Sequence, residues 1–103
     1  MLTFIPTSEM SSDSTINYKI ELSQLYTVNE FINTICKERP NEWGTVGIFN
    51  GILIKHSIYG DPYCEYKYGK VIGKPLPKDI LEKPIKSVTA RSEWSHTNYI
   101  IKL

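Results

Sequence analysis

Ser92, Glu93, Ser95 and His96 place a hydroxyl nucleophile, a carboxylate and an imidazole within five positions, the residue types that acyl transfer needs. A working triad also needs the base within hydrogen-bond reach of the nucleophile and held by a third group, generally from a separate element. Neighbours on an extended chain point to opposite faces, so the segment reads as a solvated polar loop. A small hydrolase using His96 is the poorest of three functional readings, and no catalytic residue is assigned. Cys36, His56, Cys64 and His96 lack the short ligand spacing of a zinc site, so neither a metal nor a cofactor is expected. His56 shares its alternation with Ile52, Ile54 and Ile58 and reads as a hydrogen-bonded core or sheet-edge histidine. Gly44 and Gly47 are too sparse to cradle a phosphate, and no Gly-Lys-Ser or Gly-Lys-Thr follows a glycine-rich turn.

Binding chemistry is better represented. Trp43 falls on the strand face opposite Val46 and Ile48, and Trp94 sits between Glu93 and Ser95, so neither indole has an obvious core register. Large amphipathic rings on a surface are the usual anchors of an interface. Residues 1 to 66 hold four basic and eight acidic side chains, whereas residues 67 to 103 hold eight and three. Tyr66 and Lys67 open the basic stretch that runs to Lys86, a mixture suited to stacking a base and neutralising its phosphate. The plainer reading is lysines that keep a sheet soluble and discourage edge pairing. The candidate binding residues are therefore Trp43, Tyr66, Lys67, Arg91, Trp94 and His96.

The elements that must position them follow from periodicity. Ile16, Tyr18, Ile20 and Leu22 alternate with polar residues and predict a strand with one wet face. Thr27 and Glu30 form a capping box, Tyr26 and Phe31 a hydrophobic staple, and Val28, Phe31, Ile32, Ile35 and Cys36 one apolar stripe. The helix they predict ends near Arg39, before Pro40. From Trp43 the period changes to two. Trp43 to Phe49 and Ile52 to Tyr59 flank Asn50-Gly51, a hairpin signal. Tyr63 to Tyr68 and Val71-Ile72 read as short strands, and Ile85 to Arg91 and Asn98 to Leu103 as terminal strands joined by a polar loop. Pairing of the strand Tyr99 to Leu103 with a second copy would give a homodimer.

The predicted architecture is α+β, a mostly antiparallel sheet of five to six short strands with one helix packed on one face. Residues 1 to 15 read as a flexible Ser/Thr-rich arm and residues 16 to 103 as one domain, a size that suits a chain of 103 residues. A net charge of +1 excludes a strongly basic nucleic-acid coat and an acidic mimic of DNA. The first residues lack the basic start and apolar core of a signal peptide, no run approaches a membrane span, and the two cysteines read as reduced, so a cytoplasmic location is expected.

Three stretches carry a resemblance: Asn41 to Gly44, Glu65 to Ile72 reading EYKYGKVI, and Trp94 to Leu103 reading WSHTNYIIKL. Over roughly residues 16 to 103 the chain resembles small proteins of phages and mobile elements from low-GC Gram-positive gut bacteria. The resemblance implies a non-enzymatic inhibitor that binds a host defence protein in the cytoplasm of the bacterial host. No functional residue comes with it. The alternative expectation is a protein that sequesters a nucleotide or nucleotide-derived signal.

Overall fold

The computed structural model describes residues 2–7, 15–49, 63–94 and 96–103. The strands are β1 (Leu2–Pro6), β2 (Thr15–Leu22), β3 (Trp43–Phe49), β4 (Tyr63–Lys67), β5 (Lys70–Val71), β6 (Ser87–Glu93) and β7 (His96–Lys102), and the helices are α1 (Val28–Glu38) and α2 (Lys78–Leu81). Together they make a small α+β domain whose described strands form one sheet in the order β1-β2-β6-β7-β3-β4-β5.

Helix α1 begins as its local signals dictate. The Thr27 hydroxyl accepts from the Glu30 amide at 3.2 Å, and the Glu30 carboxylate accepts from the Thr27 amide at 2.9 Å, so two donors at the helix start are paired. Val28, Phe31, Ile32 and Ile35 are buried, with Cys36 at the margin. Their stripe lies on the sheet face that carries Tyr99, whose ring meets Phe31 edge-on at 5.7 Å. The core joins this stripe to Ile20, Val46, Ile48, Cys64, Tyr66, Val88 and Ile101.

Several expectations need correction. Leu2–Pro6 is not a loose arm; it is the edge strand β1, held antiparallel to β2 with Leu2 opposite Leu22 and Phe4 opposite Ile20. Leu2, Phe4 and Ile5 supply the apolar content that the hydroxyl-rich composition obscured; Leu2 is buried and Phe4 packs against the core. The sheet is mostly antiparallel as expected, but it has seven described strands and one parallel pairing, β7 with β3. The last strand is therefore central, between β6 and β3, and its backbone is already paired on both sides, so it offers no edge for a homodimer. The polar loop between the terminal strands shrinks to the turn between Glu93 and His96, since cross-strand pairing continues to that pair. The single helical turn that the proline-flanked segment Gly73 to Pro84 leaves room for needs no correction: it is present as α2, which touches α1. The Asn50-Gly51 hairpin, the strand from Ile52 to Tyr59, His56 and Ser95 lie outside the described residues.

The β1 edge is blunted. Thr7 donates its amide to the Asn17 carbonyl at 2.9 Å, and strand alternation then turns the Leu2 and Phe4 amides outward. Leu2 donates to Glu38 at 3.3 Å, and Pro6 has no amide proton, so along β1 the Phe4 amide alone remains to template another strand.

Candidate functional site

Three chain reversals meet at one end of the sheet: the α1–β3 connection, the β4–β5 turn and the β6–β7 turn. Tyr68 donates its amide to the Glu42 carbonyl at 3.0 Å, which ties the second reversal to the first. A Cβ on Gly69 would meet the Cys36 carbonyl at 3.3 Å, so that turn passes close against the end of α1.

Beneath them lies Glu42. Its Oε1 accepts from the Tyr66 hydroxyl at 2.5 Å and from the Tyr99 hydroxyl at 2.9 Å. Its Oε2 accepts from Arg39 Nε at 2.8 Å and from the Thr97 hydroxyl at 3.1 Å. With its proton on Glu42, the Thr97 hydroxyl is the acceptor in the 3.2 Å contact with Ser92. Four donors fill the lone pairs of the carboxylate, so Glu42 is an anchor and not a free base. Burial, followed by the charges around them, pushes the tyrosine hydroxyls well above the ordinary phenol range, and both stay protonated donors. Arg39 also lays its guanidinium over the Phe4 ring, 4.3 Å from the centroid, linking the network to β1.

Tyr66 is accordingly corrected as a binding residue. It is fully buried, and its parity on β4 places it with Cys64 on the helix side. The other five candidates are accessible to differing degrees. Register sets Trp43 against His96 on one side and Lys67 on the other. The indole and imidazole stack at 5.0 Å with 29° between planes, and the Lys67 ammonium lies 5.5 Å from both the Trp43 and the Tyr68 rings. The Nε2 of His96 is buried and has no hydrogen-bond partner. Trp43 is 39% exposed, Tyr68 63% and Trp94 88%.

No family model matches the chain, and no curated protein or solved structure does either.

The geometry alone therefore speaks for the site. Arg91 stands two register rows inward from His96, opposite Asn98 and on the sheet face away from α1, bonded through Nε to Glu93 at 2.9 Å. It lines a hollow of about 400 Å³ with Thr45, Gly47, Asn98 and Ile100, floored by the Thr45 to Asn98 hydrogen bond of 2.5 Å. Ser92 points to the helix side, where Thr97 holds it, whereas His96 stacks on Trp43. The structure thus does not bring Ser92 and His96 together. Among the described residues no cluster of three or more histidine, cysteine or acidic side chains could hold a metal, and no described helix is long and apolar enough to cross a membrane.

Trp94 was already a candidate in the sequence and Tyr68 was not; they are the two described residues other than glycine with positive φ, 53° and 51°. That backbone region suits Gly, Asn or Asp and is an outlier for a bulky side chain. Here both left-handed positions carry exposed aromatic rings. Glu42, Arg39 and Tyr99 were also missed, and only the shared parity of Cys64 and Tyr66 with an apolar face hinted that a tyrosine hydroxyl needed a buried partner.

Proposed function

We propose that this protein is a non-enzymatic binding domain that grips a protein partner with the aromatic end of its sheet. In line with its resemblance to small phage proteins, the partner is a host component that the grip inhibits. The observation that supports this reading is the placement of Tyr68 and Trp94 at strained turn tips at the same end of the sheet as the Trp43–His96 stack. Each left-handed bulky residue costs roughly 1–2 kcal/mol, and such strain persists at sites where recognition offsets it. Exposed Trp and Tyr with a nearby cation have the composition of an interface hot spot, and Lys67 between two rings supplies that cation.

Capture from a low-GC Gram-positive host lysate tests the reading. A protein retained by the wild type should be lost, by about 2 kcal/mol or more in affinity, from Trp43→Ala. Equal retention by the variant would reject the surface.

A second reading, sequestration of a nucleotide, draws on the hollow beside Arg91 and the neighbouring stack. A nucleotide present at 100 times its dissociation constant would add about 2.7 kcal/mol to stability. A thermal-shift panel separates the two, because the protein-partner reading expects no nucleotide to raise the melting temperature.

A further inference from the structure

On the helix side of the same sheet end, Glu38, Arg39, Pro40, Asn41, Glu42, Ser92, Trp94 and Thr97 line an open cleft of about 580 Å³, within the roughly 300–1,000 Å³ of small-molecule sites. Its chemistry narrows the ligand. An anion is disfavoured: two carboxylates face one guanidinium, the guanidinium is already bonded to Glu42, and the carbonyl end of α1 opens here. A cation finds little unpaired charge, since the Glu42 carboxylate has four donors and Glu38 is engaged by the Leu2 amide. An apolar ligand would strip water from the Asn41 amide and the half-exposed Arg39 side chain.

The remaining class is a neutral, hydroxyl-rich ring. Planar amide, carboxylate and guanidinium groups pair with adjacent hydroxyls in the bidentate manner that suits their geometry. An indole exposed over 88% of its surface offers an electron-rich face to the electropositive C–H bonds of such a ring. We propose that this cleft is a carbohydrate subsite, with the Trp94 indole as its stacking wall and Arg39, Asn41 and Ser92 as its hydrogen-bonding side. The site shares Trp94 with the protein-partner reading but not its Trp43–His96 stack, which lies on the opposite face, so sugar binding and the effect of Trp43→Ala on partner capture are separate readouts.

The chain has two tryptophans, so Trp43→Phe leaves Trp94 as a single fluorescent reporter. Glucose, galactose, mannose and N-acetylglucosamine are each titrated into this variant, with AMP as the anionic comparison. The expected result is a saturable blue shift of Trp94 emission with at least one sugar and none with AMP, weakened about tenfold by adding Asn41→Ala. In the otherwise native chain, amide shifts in NMR induced by that sugar should map to residues 38–42 and 92–97 and vanish in Trp94→Ala. No saturable response to any of the four sugars, a response to AMP instead, or amide shifts that persist in Trp94→Ala would overturn the assignment.

Discussion

At the scale of single residues, Glu42 does the most to define the candidate site. Charge-assisted hydrogen bonds are worth more than neutral ones, and breaking one member of a buried set leaves the others unpaired. Glu42→Gln keeps the shape but substitutes an NH₂ donor for one acceptor oxygen, against four groups that all donate. We expect a loss of about 2–3 kcal/mol in urea denaturation; an unchanged midpoint would mean the network is ornamental. Gly44 is fixed for a different reason: a Cβ there would stand 2.2 Å from the Thr97 carbonyl and 2.6 Å from the Tyr66 hydroxyl. The carbonyl belongs to the neighbouring strand and cannot swing away, so Gly44→Ala should cost about 3 kcal/mol or more. Alkali should act through Tyr66, Tyr99 and Cys64. All three are neutral when protonated and hold their protons more tightly folded than unfolded, with the Cys64 thiol pushed up to about 12 by burial. Their stabilising contribution is complete below the unfolded values of about 9–10 and falls as pH rises above them, by about 1.4 kcal/mol per pH unit for each group. Stability measured from pH 8 to 11 should therefore drop steeply, and Tyr99→Phe should flatten the slope.

At the scale of elements, what the sequence revealed was local. Thr27 and Glu30 lie three residues apart, and their reciprocal bonds need nothing beyond the helix itself, so the start of α1 was legible. Thr27→Ala should lower stability by about 1 kcal/mol. The edge strand was hidden because Leu2, Phe4 and Ile5 become a strand only when β2 is beside them. Its protection rests on Pro6 and on the Glu38 cap of Leu2. Pro6→Val restores an outward amide and should raise concentration-dependent association in light scattering; strict monomer behaviour would show that the edge is guarded otherwise. The β6–β7 turn was misread as a longer loop because its polar side chains mask a pairing that continues to Glu93 and His96.

At the scale of the molecule, the parallel contact of β3 with β7 decides which residues form the candidate site. Trp43 and His96 are 53 positions apart and become register partners only through it; no short-range pattern encodes such a meeting. An α+β class with one helix over a sheet could be read from periodicity, whereas strand order, the central place of β7 and the Glu42 network could not. Side-chain type told more than position: the two tryptophans without core registers are indeed outside the core, but Tyr66, which looked equally available, turned inward to bond Glu42. The fold gathers three reversals at one end, crowns them with Trp43, Tyr68, Trp94 and His96, and braces them from below with the partly buried Glu42 carboxylate. If the crown exists to bind, relieving its strain should improve the fold and damage recognition.

The double variant Tyr68→Asn with Trp94→Asn joins these expectations, because Asn accepts the left-handed backbone that the aromatic rings strain. Its unfolding free energy and its affinity for the host protein retained by the wild type should be measured side by side. The account predicts a gain of about 1–2 kcal/mol in stability together with at least a tenfold loss of affinity; a variant that is less stable, or that binds as tightly as the wild type, would contradict it.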